Sequence, residues 1–152
     1  MSEKFDINSW INEVESFRPE ANRLALLLEN YGATVMPENS REVGSIPFIV
    51  TFNFDDDKDV KVTVRIIFKD HQTNSDVVIT NMTTLPGNKK GMGFGSRAME
   101  FFLKWAKDNN LKDVRATQVD TSNENFWSKN GFVKAEGINP CNDFVYIFSR
   151  YS

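Results

Sequence analysis

Lys90-Gly91-Met92-Gly93-Phe94-Gly95-Ser96 puts glycines at alternate positions, with Lys89 and Lys90 beside them. Glycine has no Cβ and takes positive φ readily, so this backbone can approach a ligand closely. The run Val77 to Leu85 before it is rich in β-formers, and Ser96 to Asn109 after it has helical periodicity. A helix start offers unpaired N–H groups and the positive end of the helix dipole. Strand, basic glycine loop and helix N-terminus together describe a cradle for phosphate.

Several ligands use such a cradle. A P-loop needs G-x-x-x-x-G-K-[ST], which the chain lacks. Gly91-x-Gly93-x-x-Ser96 imitates a dinucleotide fingerprint, and Asp120 ends the following strand. Against it, Ser stands for the third glycine, and the loop follows helices and a hairpin. Only one βαβ unit is left downstream. A glycine turn without a ligand is the plain alternative, and the coincidence of lysines, strand exit and helix entry argues against it.

The elements that position the loop follow from periodicity. Ile7, Trp10, Ile11, Val14 and Phe17 form one helical stripe. Arg18-Pro19 breaks it, and Pro19 suits a first helical position. Leu24, Leu27, Leu28 and Tyr31 mark a second helix closed by Gly32. Residues 33–45 show no period and read as a loop. Phe48 to Phe54 and Val60 to Ile66 alternate as a β-hairpin whose acidic tip, Asp55 to Asp59, reads as a solvated turn. Lys69 to Ser75, with the single histidine His71, is a further turn, and Val77 to Leu85 is a strand. After the 96–109 helix come a strand at Val114–Val119, a short helix at Asn123–Asn130 capped by Gly131, and a strand at Phe144–Phe148. Phe101 and Trp105 read as core residues. The order is αα-ββ-β-α-β-α-β(β), one α/β domain of α+β type.

Composition bounds the function. The chain has 152 residues, 40% hydrophobic and 26% charged, as in an ordinary globular protein with an aromatic core of 13 Phe and 3 Trp. A net charge of −3 gives no basic field for nucleic acid. The single Cys141 rules out an internal disulfide and fits a reducing compartment. No apolar leader and no stretch of about 18 apolar residues is visible, so a cytoplasmic protein without a membrane partner is expected.

Read as basic-x-x-Gly-x-Gly, Lys90 to Gly95 resembles the acetyl-CoA loop of the GNAT superfamily of N-acetyltransferases. Asn123-Glu124-Asn125-Phe126-Trp127-Ser128-Lys129-Asn130-Gly131-Phe132 is similar to the family helix that ends in Tyr-x-x-x-Gly-Phe. The resemblance covers residues 77–150. It implies a mixed, mainly antiparallel sheet flanked by helices, with two N-terminal helices. Residues 1–46 would form the acceptor side and 47–152 the sheet and acetyl-CoA-binding core. The first family strand is missing or lies within Ala33 to Ile46.

The resemblance also implies roles. Backbone groups of Thr83, Thr84 and Leu85 would pair with the pantetheine arm, and the Leu85 N–H would polarise the thioester carbonyl. Gly91, Met92, Gly93, Phe94, Gly95 and Ser96 would hold the pyrophosphate with Lys90, helped by Lys89 and Arg97. Asn123 would contact the arm or cap its helix. Trp127 stands where the family often has a Tyr acid, and an indole does not release its proton near neutral pH. Gln118 stands where some members carry a Glu base. Trp127 therefore reads as packing. Tyr146 as acid and Asp120 as base are the substitutes; His71 reads as a surface residue and Cys141 as inert. The implied activity is direct acetyl transfer from acetyl-CoA to a primary amine, without metal, by a monomer or homodimer. The alternative is a non-catalytic acyl-CoA-binding or interaction module.

Overall fold

The computed structural model describes residues 19–38, 47–68 and 75–150. The stripe from Ile7 to Phe17, His71 and residues 39–46 lie outside them. Helix α1 (Pro19–Leu27) starts at the predicted proline and tightens into a 3-10 turn over Leu28–Tyr31. Gly32 follows at φ 83°, the left-handed stop that glycine allows. Strand β1 (Ala33–Pro37) comes next, inside a stretch that reads as loop from periodicity. It lies within the Ala33 to Ile46 stretch, and it hides well: only Ala33 is buried, and Met36 is largely exposed. An edge strand with one neighbour and one covered residue has no reason to alternate.

Strands β2 (Pro47–Asn53) and β3 (Lys61–Phe68) form the expected hairpin, followed by β4 (Val77–Leu85). Helix α2 spans Phe94–Asp108, and β5 only Asp113–Ala116. The short helix α3 (Glu124–Lys129), β6 (Val133–Lys134) and β7 (Phe144–Ile147) complete the chain. One seven-stranded sheet results, in the order β1-β2-β3-β4-β5-β7-β6. Every pairing is antiparallel except β4 with β5. This is the mixed, mainly antiparallel sheet flanked by helices that the sequence implies. No helix among the described residues is long and apolar enough to cross a membrane.

The core lies between sheet and helices. Phe48, Val50 and Phe52 of β2 and Val62, Val64 and Ile66 of β3 are buried with Ala98, Met99, Phe102 and Trp105 of α2. Trp105 is fully buried, edge-on to Phe68, and its indole N–H donates to the Leu24 carbonyl of α1 at 2.9 Å. The Tyr31 hydroxyl donates to Asp108 at 2.6 Å, tying the end of the first helical segment to the end of α2. That bond holds the Tyr31 phenol above its ordinary value and the Asp108 carboxyl below its own. Phe101 is more exposed than expected, with its ring 6.5 Å from that of Phe52.

The acidic hairpin tip is the solvent-exposed turn expected, and two of its carboxylates also form surface ion pairs. Asp56 takes both Arg97 guanidinium nitrogens, at 2.9 and 2.7 Å, and Asp57 pairs with Lys89 at 3.1 Å. Arg97 also lies over the Phe54 and Phe94 rings. Two cations expected near phosphate thus bind the hairpin to α2 and its preceding loop.

Two outcomes test this packing. Trp105→Phe keeps a ring but removes the indole donor and leaves a gap, so unfolding should lose about 2 kcal/mol in a denaturant titration. The Arg97 bond depresses the Asp56 carboxyl. Stability from that pair is therefore complete above the usual carboxylate range and fades as pH falls through the lowered value. Asp56→Asn should melt slightly below wild type near neutral pH in low salt. The gap should close in strong acid, and a gap that widens there would contradict the pairing.

Candidate functional site

The parallel strands β4 and β5 pair over only three positions, Val77↔Val114, Val78↔Arg115 and Ile79↔Ala116. Carboxylates fasten their starts. Asp113 accepts from the Ser75 hydroxyl and the Asp76 N–H, while Asp76 accepts from the Lys112 N–H at 2.7 Å. The last cross-bond runs from the Thr117 N–H to the Ile79 carbonyl at 3.0 Å. Beyond it the strands separate.

Each wall turns for its own reason. On β4, Arg65 faces Asn81 while Ile66 faces Ile79, so Thr80 is an extra residue in a β-bulge. A bulge bends its strand and increases twist. Arg65 staples it, donating to the Thr80 hydroxyl at 2.9 Å and to Glu38 at 2.7 Å. On the other wall Gln118 takes φ 53°, a left-handed conformation rare without glycine. Its N–H donates to Asp143, and Val119 turns to Asn142 instead of β4: the Val119 N–H donates to the Asn142 carbonyl at 3.2 Å, and the Val119 carbonyl accepts from the Asn142 side-chain amide at 2.9 Å. The predicted strand 114–119 ends at Ala116 for that reason.

A cleft of about 600 Å³ fills the space between. Thr80 to Thr84 form one wall, Thr117 to Asp120 the other, and the glycine loop and α3 close the far end. Such a volume is ordinary for a small-molecule site. The strand-edge groups of β4 face this opening, and among the described residues no strand lies beside them.

The loop at the far end is built as its composition suggests. After a cis Leu85–Pro86 bond and a 3-10 turn at Gly87–Lys89, Gly91 and Gly93 take φ 80° and 91°. Gly93 occupies the N-cap of α2, where no side chain caps the helix, and its carbonyl receives the Arg97 N–H at 3.1 Å. The first-turn N–H groups are left for an anion. Gly95 serves differently: a Cβ there would sit 3.2 Å from the Phe126 ring. Its absence lets α3 close against α2, where Asn130 donates to the Ser96 hydroxyl at 3.2 Å.

Most of the expected residues meet here. Thr83, Thr84, Lys90, Gly91, Gly93, Gly95, Ser96 and Asn123 all line the cleft. Asn123 precedes α3 but makes no side-chain cap bond, so its amide is unspent. Asp120 lines the wall and accepts from the Ser122 N–H at 3.2 Å. Three expectations change. Leu85 is half-exposed beside the loop, outside the cleft lining, and so is Met92. Phe94 turns into the core against Phe54, because its position on α2 faces the sheet.

Tyr146 also leaves the proposed set. Strand β7 pairs with β5 on the side away from β4, and Tyr146 opposes Val114, before the strands part. Its ring packs between Phe132 and Phe148, outside the cleft lining. Trp127 does line the cleft while packing edge-on to Phe126 and Phe132, in keeping with a packing role. Lys89 and Arg97 are held by the hairpin carboxylates. Lys129 was missed: it lines the cleft, with its ammonium 5.9 Å from the Phe126 ring centre. Its place three residues after Phe126 and four after Asn125 puts it on their face of the short helix, which is the signal for it. The titratable side chains of the lining are Lys90, Asp120 and Lys129.

No protein-family model matches the chain. No characterised protein matches it by sequence. Among solved structures, AtaTR bound with acetyl-CoA is 11% identical with a TM-score of 0.48, covering 78% of this chain and 95% of its own. An acetyltransferase of the GNAT family from Staphylococcus aureus Mu50 is 12% identical at TM-score 0.46, covering 91% and 89%. A domain from Methanocaldococcus jannaschii is 21% identical at 0.45, covering 70% and 67%. All three scores lie below 0.5, and the functional reading rests on this chain's own cleft and loop.

Proposed function

We propose that this chain is a GNAT-type N-acetyltransferase that moves an acetyl group from acetyl-CoA to a primary amine. The observation that carries the proposal is the parted parallel pair β4/β5, opening onto an uncapped glycine loop at a helix start. A long substrate with phosphates at one end and amides along its arm suits both halves. The pyrophosphate would meet the N–H groups at Gly91 to Ser96, with Lys90 and Lys129 supplying charge. The pantetheine amides would add to the open edge of β4 as an extra strand does.

This reading moves the carbonyl donor. Leu85 adjoins the phosphate loop, whereas the thioester is at the other end of the pantetheine arm. At about 3.3 Å per residue, the distance from Leu85 back to Asn81 is about 13 Å. A backbone N–H near the Thr80 bulge, at Asn81 or Met82, suits the developing oxyanion better than Leu85.

The reaction needs a neutral amine nitrogen to attack the thioester carbon. The C–N bond forms and the C–S bond breaks. Asp120 takes the amine proton directly or through water, and the thiolate leaves with a proton from solvent. Among the described residues no Tyr or His lines the cleft, which favours this solvent-assisted route. The same observation favours the second reading, a module that binds acyl-CoA without turnover. Residues 1–46 are proposed as part of the acceptor side.

Calorimetry with acetyl-CoA, followed by thiol release against a panel of amines, separates the two. Micromolar binding with amine-dependent release is expected from the enzyme, and binding alone from the module. Gly93→Asp adds a carboxylate that the helix dipole tolerates but the pyrophosphate does not. It should cost at least about a hundredfold in acetyl-CoA affinity. Unchanged affinity would remove the phosphates from this loop.

A further inference from the structure

Asp143 is the one charged residue buried among the described residues, 6% exposed. A buried carboxylate persists only with strong partners. Its Oδ2 accepts from Arg115 Nε at 2.8 Å, and its Oδ1 accepts from the Gln118 N–H at 3.1 Å. Its own backbone is equally fixed. The Asp143 N–H donates to Asn139 Oδ1 at 2.7 Å, and its carbonyl accepts from the Ala135 N–H at 2.9 Å. The β6–β7 connection thus holds this carboxylate from several sides.

What the carboxylate holds is the turn that opens the cleft. Gln118 is exposed, yet it stays at φ 53°, which costs a residue bearing a Cβ. Among the described residues its side chain has no hydrogen-bond partner, whereas its N–H points to Asp143. In ordinary extended geometry, residues 117–119 would continue along β4 and narrow the gap. We infer that Asp143 is a positioning residue for the donor substrate: it pins Gln118 and so sets the width of the slit that receives the pantetheine arm. This rests on the acetyl-CoA reading of the cleft, and it assigns the phosphate loop no part in the effect.

The test compares coenzyme A with 3′-phosphoadenosine 5′-diphosphate, which carries the same phosphates without pantetheine. Asp143→Ala should weaken coenzyme A about tenfold while leaving the fragment's affinity unchanged. Asp143→Asn keeps an acceptor for the Gln118 N–H, so it should bind coenzyme A as wild type does. Both variants leave Arg115 without its counter-ion and should melt lower, so the melting temperature alone cannot explain a difference between them. Gln118→Pro removes the pinned N–H and forbids the positive φ at an exposed position. It should reproduce the selective loss, and it decides the matter if Asp143→Ala does not fold. Equal loss of both ligands, no loss of either, or a defect in Asp143→Asn matching that of Asp143→Ala would overturn the inference alone. Wild-type protein that binds neither ligand would overturn the acetyl-CoA reading as well.

Discussion

The parting of β4 and β5 is the constraint from which the rest of the architecture follows. Two parallel strands in register would normally continue pairing, because each buried backbone group needs a partner. Here the pairing is fastened at Asp76 and Asp113, stops at Thr117, and is replaced on each side by other bonds. The β4 wall keeps β3 as its partner and bends at Thr80, and the β5 wall passes its backbone bonds to Asn142 and Asp143. Neither wall depends on the other beyond Ile79. Each wall of the cleft is therefore held by its own partners, and on the proposed reading the open edge of β4 would receive the pantetheine arm.

A second constraint sits at the end of α2. Its N-terminus carries no side-chain cap, yet the loop before it has to be held in place. The hairpin tip holds it. Asp56 and Asp57 draw Arg97 and Lys89 toward themselves, which fixes the loop flank while leaving Lys90 on the cleft side. The remaining charges of the tip, Asp55, Lys58 and Asp59, are exposed to solvent, where salt screens them.

Much of this was legible in the chain. Pro19, Gly32 and the alternation at 48–54 and 60–66 mark element ends and faces through backbone chemistry that acts locally. The glycine loop was legible for the same reason, since positive φ and an uncapped helix start leave a composition behind. What stayed hidden depends on partners. Strand β1 is an edge with a single covered residue, so it has no period. Alternation in β7 indicates a face for Tyr146 but not that β5 would lie between it and the cleft. The bulge at Thr80 and the turn at Gln118 are set by Arg65 and Asp143, each distant in sequence.

The Tyr146 result bears on how the chemistry can be organised. Phe126, Trp127, Phe132, Tyr146 and Phe148 form a continuous series of ring contacts, each pair 5.0 to 5.6 Å apart. Edge-to-face rings at such distances are rigid and apolar, which suits a wall and not a proton relay. The one hydroxyl in the series, on Tyr146, lies outside the cleft lining. The polar end of the cleft, at Thr117, Gln118 and Asp120, is where water can reach a reacting amine. Under the proposed function, proton transfer through solvent at that end would complement a donor held along the β4 edge. The ring series would serve as the support behind Phe126 and Trp127, the two of its members that line the cleft.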